Sequence, residues 1–289
     1  MTTNKNTLEH IIHGIFLLMG LVAVGCVLLI TVYLVLSGIP AILEIGLIDF
    51  LFGKEWASTA TDPKYGIWAF ILTSIYGTAG AIVIGVPIGF MTAVYLSKIA
   101  SPKVKSMMQS AVSLLAGIPS VVYGLVGMLV LVPGIRKIFG VPDGASLLAA
   151  IIVLAIMILP SIIKMSITAL DAVPKEYEDA SLALGATPIE TYFKVSVPAA
   201  KSGIAAAVVL GVGRAIGEAM AVMMVAGNVP NMPDSIFQSV RFLTTAVSSE
   251  MAYSSGLQQQ ALFSIALVLF LFIMLINATL NFFLKRETE

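Results

Sequence analysis

Arg214 and Glu218 are the residues of this chain whose types and spacing could do chemistry. Both fall near the middle of an apolar run from about Gly203 to Gly227, where an arginine costs about 2.5–3.5 kcal/mol on insertion scales. Something must offset that cost. A guanidinium presents a planar fork of donors that matches a tetrahedral oxyanion, so Arg214 is a candidate to draw an anion across a low-dielectric barrier. Four residues apart, Arg214 and Glu218 share a face of a continuous helix and can pair. One reading is an ion pair that holds helices in register. The other is a carboxylate that holds Arg214 while the path is empty and releases it during passage. Arg ahead of Glu is the weaker order for such a pair, which favours the second. Gly211, Gly213 and Gly217 on the same helix would let a neighbouring helix, or one from a partner subunit, come close.

The elements that must position this pair are membrane helices. The chain has 289 residues, 58% hydrophobic and 11% charged, with a mean hydropathy of +1.01. Ordinary soluble domains carry about 25% charged residues, so a soluble enzyme is excluded. Six apolar runs, near 11–36, 68–96, 108–132, 146–170, 203–227 and 259–283, each reach the ~20 residues needed to cross a bilayer. The connectors are too short for a soluble catalytic domain of about 100 residues, so the driving energy must come from an ion gradient or another protein.

Sixteen basic residues balance sixteen acidic ones, which argues for neither nucleic acid nor an anionic surface as partner. With the N-terminus inside, the inner segments hold Lys5, Lys98, Lys103, Lys105, Lys175, Lys194, Lys201, Lys285 and Arg286, and the outer ones Lys54, Lys64, Arg136, Lys137 and Arg241. Lys164 and Arg214 lie within spans. This bias puts both termini in the cytoplasm. The first run exceeds a signal peptide's apolar core and reads as a retained span. The single cysteine, Cys26, excludes an internal disulfide or a Cys-based metal site. His10 and His13 flank the first span without clustered carboxylates and read as interfacial residues.

Four further segments stand out. The first outer connector, about 37–67, carries Trp56 and leads to Trp68, aromatics that suit a membrane interface. Gly85 and Gly89 let a neighbouring backbone approach span two. In Gly117-Ile118-Pro119-Ser120-Val121-Val122-Tyr123-Gly124, Pro119 kinks or breaks span three. Where broken helices line a path, Ser120 and Tyr123 would offer it hydroxyls. The inner connector 171–200 predicts two short helices. Lys175 to Leu184 follows Pro174, Gly185 supplies the left-handed residue that ends it, and Thr187-Pro188-Ile189-Glu190 starts the second as a capping box. Pro198 closes the unit. Tyr177, Leu182, Leu184, Tyr192 and Phe193 are too apolar for a freely solvated hairpin and suit a partner; folding back on the chain's own spans is the alternative.

That connector carries a resemblance. Asp179-Ala180-Ser181, Gly185 six positions after Asp179, nine residues and then Val195-Ser196-Val197-Pro198 resemble the E-A-A-x-x-x-G-x9-I-x-L-P signature of ABC importer permeases. Asp replaces Glu, Ser the second Ala, and Val both Ile and Leu. The 117–124 stretch and Gly213-Arg-Ala-Ile-Gly-Glu218-Ala-Met-Ala-Val222 resemble the phosphate-specific Pst branch. The extended outer connector with Trp56 looks more like its PstC-type permeases than the PstA type. The resemblance implies an all-α integral membrane protein: a six-span, type I ABC importer permease-like bundle with a cytoplasmic coupling hairpin. The divisions are a cytoplasmic 1–10, a first helix and outer connector over 11–67, a permease core over 68–284 with the coupling loop at 171–200, and a cytoplasmic 285–289 in a bacterial plasma membrane. It also implies a PstA-like second permease, two PstB-type ATPases and an extracytoplasmic phosphate-binding protein. ATP and magnesium would sit on the ATPase, and no cofactor or metal in this chain. Transport roles would fall to Arg214 and Glu218, and ATPase coupling to Glu178, Asp179, Ala180, Ser181, Gly185 and Pro198.

No G-x-x-x-x-G-K-[ST] loop occurs, so ATP is not cradled here. Gly211-x-Gly213-x-x-x-Gly217 is one residue too long for a dinucleotide fingerprint and follows no strand. A gradient-driven anion transporter could also use one Arg and one Glu, but has no use for the amphipathic hairpin and fits six spans without an inverted repeat poorly. Sulfate and molybdate are the alternative oxyanions, and a role in phosphate sensing would be additional to transport.

Overall fold

The computed structural model describes residues 3–286; the side chains of 3–8, 11 and 280–286 lie outside the described residues, and with them Lys5, Lys285 and Arg286 of the charge count. The described residues are mostly helical, with one two-stranded ribbon and an isolated bridge between Gly227 and Val240 in the irregular stretch before α13. In order, the elements are α1 (Thr3–Ile45), α2 (Leu47–Phe52), β1 (Trp56–Ala57), β2 (Lys64–Tyr65), α3 (Trp68–Val94), α4 (Pro102–Gly117), α5 (Ser120–Val126), α6 (Val132–Phe139), α7 (Leu147–Asp171), α8 (Lys175–Ala183), α9 (Pro188–Thr191), α10 (Val197–Ala199), α11 (Lys201–Gly217), α12 (Met220–Val225), α13 (Leu243–Glu250) and α14 (Gly256–Arg286). Among the described residues, five stretches are long and apolar enough to cross a bilayer: Ile12–Ile45, Trp68–Ile99, Ser120–Phe139, Leu147–Asp171 and Gly256–Thr279.

The remaining span, the fifth in chain order, is interrupted. Helix α11 leaves the Pro188–Ala199 segment at a 72° bend and runs antiparallel to α7. A Cβ on Gly203 would meet Ala169 and one on Gly211 would meet Ile162, while at the far end Ser146 N donates to the Val225 carbonyl at 3.0 Å. Together α11 and α12 therefore match the full length of α7, whose 25 residues span about 37 Å at ~1.5 Å per residue. Between them the helix stops. Glu218 has an extended backbone (φ −74°, ψ 128°).

Helix α7 is the centre of the bundle. Two-thirds (67%) of its most apolar stretch is buried, against none of the corresponding stretch of α1. Helix α3 lies parallel to it through small residues. A Cβ on Gly80, Gly85 or Gly89 would fall within 2.7–2.9 Å of Ile151, Ile158 or Ile162 respectively. The close approach expected at Gly85 and Gly89 is therefore real, and its partner is α7. Of the span-five glycines, Gly211 packs against Ile162, whereas Gly213 and Gly217 have nothing within 4 Å of an added Cβ.

Three expectations are corrected. The first helix does not end near residue 36 but continues to Ile45, and the rest of the connector folds as α2 and the ribbon over a core of Phe50, Trp56, Tyr65, Ile67 and Phe70. Trp56 is 7% exposed and its indole donates to the Glu250 carboxylate, so it is an internal residue rather than a membrane-interface anchor. The run 108–132 is not one span. Pro119 lacks an N–H and disfavours helical backbone in Ile118, which is extended (ψ 127°). Helix α4, with Lys103, Lys105 and Gln109, stays at the end of the bundle that carries the α8–α9 hairpin, and the membrane-length stretch begins at Ser120.

Candidate functional site

The break in span five is built by its neighbours. Three glycines in the last turns of α11 lower its helix propensity by about 1 kcal/mol each, and the groups freed by the break find other partners. The Glu218 carboxylate accepts from Ala221 N at 3.1 Å, and the Glu218 carbonyl accepts from the Thr244 hydroxyl at 2.8 Å. Thr244 is in α13, whose Leu243 N donates to Ser74 Oγ of α3 at 3.0 Å. Helix α13 thus dips back from the ribbon end to the level of the break. On the other side, Gly124 of α5 allows contact with α12, because a Cβ there would fall 2.8 Å from Ala221 Cα. Non-helical backbone at membrane depth is tolerated only inside protein or beside a water-filled cavity; here α5 and α13 cover the break in part, and Gly217 and Met220 stay exposed.

This geometry separates Arg214 from Glu218. Because α11 ends at Gly217, the two do not share a helix face, and the expected pair is absent. Among the described residues the ion pairs are Lys64–Glu55, Lys98–Glu178, Lys105–Asp171, Lys194–Glu190 and Arg241–Glu250. Arg214 instead donates from Nη1 to Ser161 Oγ of α7 at 3.3 Å. With Ser161, Gly213 and Asn277 it lines a cavity of about 650 Å³. Here the half-buried guanidinium keeps most of its donors available. Ser161 and Asn277 are part of this site although only the isolated charges drew notice in the sequence; a serine and an asparagine inside apolar runs were the available signal.

The other pathway candidates lie nearby but outside that cavity. Tyr123 donates from its hydroxyl to the Leu115 carbonyl at 2.7 Å, bridging the Ile118–Pro119 break. Its ring lines an apolar groove of about 560 Å³ with Leu115, Val126, Leu131, Ile135 and Ile152. Ser120, half-buried, is the first residue of α5.

The 171–200 connector forms the expected hairpin. Helix α8 ends on Gly185 at φ +88°, with Gly185 N donating to Leu182 O at 2.9 Å and Ala186 N to Ser181 O at 3.3 Å, the paired bonds of a Schellman cap. Thr187 and Glu190 make the capping box. Pro198 does not close the second helix, which runs one residue further to Ala199 before the bend. Asp179, Ala180 and Gly185 are exposed, Pro198 also, and Ser181 bonds Thr191 across the hairpin at 2.9 Å. Leu184 is 90% exposed, and Tyr177, Leu182, Ile189 and Phe193 are exposed with it. Glu178 differs from its neighbours in the motif. Its carboxylate turns inward to Lys98 Nζ of span two at 2.6 Å and to Ser196 Oγ at 2.8 Å, while Lys98 also donates to Leu170 O at 3.0 Å. Glu178 therefore fastens the hairpin to the bundle.

Burial raises the Glu178 pKa, but the hydrogen bonds from Lys98 and Ser196 and the charges of Lys98 and Lys175 outweigh it, leaving the carboxyl below its usual range. Its contribution is complete above the ordinary glutamate value of about 4.3 and fades as pH falls through the lowered native value. Protection of the α8 amides, measured against their intrinsic exchange rate at each pH, should fall in that acidic window. Glu178→Gln should speed their exchange by about tenfold or more at neutral pH, as expected for a lost charged hydrogen bond of about 1.5 kcal/mol; unchanged α8 exchange in the variant would refute the tether.

At the opposite end, a second polar cluster escaped sequence reading. Glu250 pairs with Arg241 and accepts from Trp56 Nε1 at 3.3 Å, Ser58 Oγ at 3.2 Å and Gln258 Nε2 at 3.1 Å. Arg241 also donates to the Asn228 carbonyl. The cluster ties the ribbon to the loop before α13 and to α14.

A bundle whose broken span carries an arginine toward a cavity, with an amphipathic hairpin exposed at one end, is that of a transport permease. The chain belongs to the family of binding-protein-dependent transport system inner membrane components, whose model matches residues 85–287. It is 41% identical to the probable ABC transporter permease protein YqgH of Bacillus subtilis strain 168, over 89% of this chain and 86% of that protein. It is 33% identical to the phosphate transport system permease protein PstC of Pasteurella multocida, over 77% of this chain and 75% of the relative. Among solved structures, a bacterial alginate ABC transporter chain superposes with a TM-score of 0.62 at 16% identity, covering 95% of this chain and 94% of that one. An inward-facing MetNI methionine ABC transporter chain gives 0.57 at 22%, covering 78% and 95%; these two show the fold alone. The protein is thus a multi-pass inner-membrane permease subunit of an ABC importer and not itself an enzyme.

Proposed function

We propose that this permease moves inorganic phosphate into the cell, driven by ATP hydrolysis on a separate subunit. The observation that carries the reading is Arg214, a guanidinium at membrane depth held by a serine hydroxyl, with no carboxylate partner among the described residues, beside a cavity. Similarity to PstC phosphate permeases supports phosphate as the oxyanion. The partners are then a PstA-like second permease, two PstB-type ATPases that carry ATP and magnesium, and an extracytoplasmic phosphate-binding protein. The hairpin end faces the cytoplasm with both termini. The binding protein delivers phosphate at the ribbon end. ATP-driven closure of the ATPases moves the 171–200 hairpin, and the break at Glu218 gives span five a hinge beside Arg214 through which that motion alternates access. Glu218 exchanges its carboxylate between the α12 backbone and Arg214 as the path empties and fills.

Uptake of labelled phosphate and sulfate in cells lacking this chain tests the assignment. Phosphate uptake at limiting concentration should fall and sulfate uptake should not; the reverse outcome would assign another oxyanion. Transport by the isolated chain without an ATPase would instead favour a gradient-driven carrier.

A further inference from the structure

Lys164 is a basic residue in the interior of α7, and the pathway as described does not use it. It lies in α7, seven residues before the end at Asp171, hence about 10 Å inside the bundle at ~1.5 Å per residue. Among the described residues it belongs to no ion pair. Its side chain is exposed rather than packed into the core, and an ionisable residue within a span is a functional candidate by default.

Its placement is specific. Ser161, which holds Arg214, precedes Lys164 by three residues, and Thr168 follows it by four, so the three share one stripe of α7. That stripe lies between α4 and α11. Ile163 and Ile167 on one flank pack with Val112 of α4, and Ile158 and Ile162 on the other pack against α11. The groove between them holds a cavity of about 300 Å³ in which Lys164 and Thr168 face Gln109 and Ser113 of α4. Along α7 the order Ser161, Lys164, Thr168 therefore runs from the Arg214 cavity toward the hairpin end, about one helical turn apart.

We propose that Lys164 is a second oxyanion station, which receives phosphate from Arg214 and passes it to the cytoplasmic mouth. The inference rests on the reading of Arg214 as a pathway residue. A phosphate group carries about −1.5 to −2 charge near neutral pH, more than one guanidinium offsets, and a second cation one turn inward lowers the barrier to leaving the first. Gln109 and Ser113 supply neutral donors for a partly dehydrated oxyanion, whereas the Thr168 hydroxyl is donated to the Lys164 carbonyl at 3.0 Å.

The test uses the assembled transporter in proteoliposomes. Lys164→Met, which eases rather than hinders membrane insertion, should lower maximal phosphate uptake at least tenfold and leave half-saturation unchanged, because external affinity is set before this step. Lys164→Arg should retain most of the rate. In a Cys26→Ser background, Lys164→Cys should be slow until treated from the hairpin side with 2-aminoethyl methanethiosulfonate, which restores an ammonium. The neutral methyl reagent should not rescue it. Wild-type uptake in Lys164→Met, with Arg214→Ala inactive, would overturn the second station and leave the Arg214 reading standing. Wild-type uptake in Arg214→Ala would overturn both. Lipid phosphate is the other source of the same chemistry: if wild-type protein in pure phosphatidylcholine vesicles loses the rate that Lys164→Met loses, Lys164 serves an anionic headgroup and the proposal fails.

Discussion

Arg214→Ala should sharply lower uptake of the proposed substrate, phosphate, while the permease still assembles with its partners. The alanine removes a charge whose insertion costs about 2.5–3.5 kcal/mol, and the only side-chain bond it loses among the described residues is that to Ser161. Folding therefore does not suffer, and co-purification with the ATPase should be normal. Transport loses a charged hydrogen-bond partner of about 1.5–3 kcal/mol in a low-dielectric path, so uptake should fall by roughly 10- to 100-fold. Arg214→Lys should recover part of it, because a point charge remains but the planar fork does not. Glu218 separates two roles. Glu218→Gln keeps an oxygen to accept from Ala221 N and should preserve assembly, yet fail in transport if the carboxylate charge meets Arg214 during the cycle. Uptake surviving at the wild-type level in Arg214→Ala would sink the pathway assignment.

Gly185→Trp uncouples ATP hydrolysis from uptake. Gly185 sits at φ +88° with open space where a side chain would begin, so the substitution meets no clash within the chain. The cost is local: roughly 1–2 kcal/mol for a left-handed non-glycine residue. The strain falls on the bonds to Leu182 and Ser181 that terminate α8, and the indole is added beside the exposed Leu184, on the face proposed to meet the ATPase. The expected result is continued hydrolysis by the complex with phosphate moved per ATP down at least about tenfold. Gly185→Asn, which tolerates the left-handed region, should retain most coupling. Normal coupled uptake in Gly185→Trp would argue against the hairpin as the transmitting element.

Legibility followed how local the signal was. The hairpin could be read from sequence because its caps are made by residues within a few positions of one another: Gly185 closing on Ser181 and Leu182, Thr187 on Glu190. The break at Pro119 could be read for the same reason, since it follows from a missing N–H. Its consequence was not legible. Which side of the break carries the span depended on where α4 packs, and Lys105 bonded to Asp171, 66 residues away, is a tertiary fact. Glu178 shows the limit within a motif. Spacing put it with the exposed ATPase-facing residues, but its carboxylate turns toward Lys98 on another span.

By itself the sequence determined the class of the protein. Length, hydropathy and the scarcity of charge specify a six-span bundle, the signature spacing specifies the coupling hairpin, and an arginine stranded in an apolar run specifies where to look for an anion. Only the tertiary structure decided the relation of Arg214 to Glu218. A four-residue separation reads as one helix face until the helix is interrupted. That interruption is stabilised by Thr244, brought beside Glu218 from 26 residues further on, and by α5 approaching α12 through Gly124. Periodicity reports what a residue's near neighbours require of the backbone. A break at membrane depth requires partners for its freed amides and carbonyls, and those partners come partly from distant segments that only the folded chain brings together.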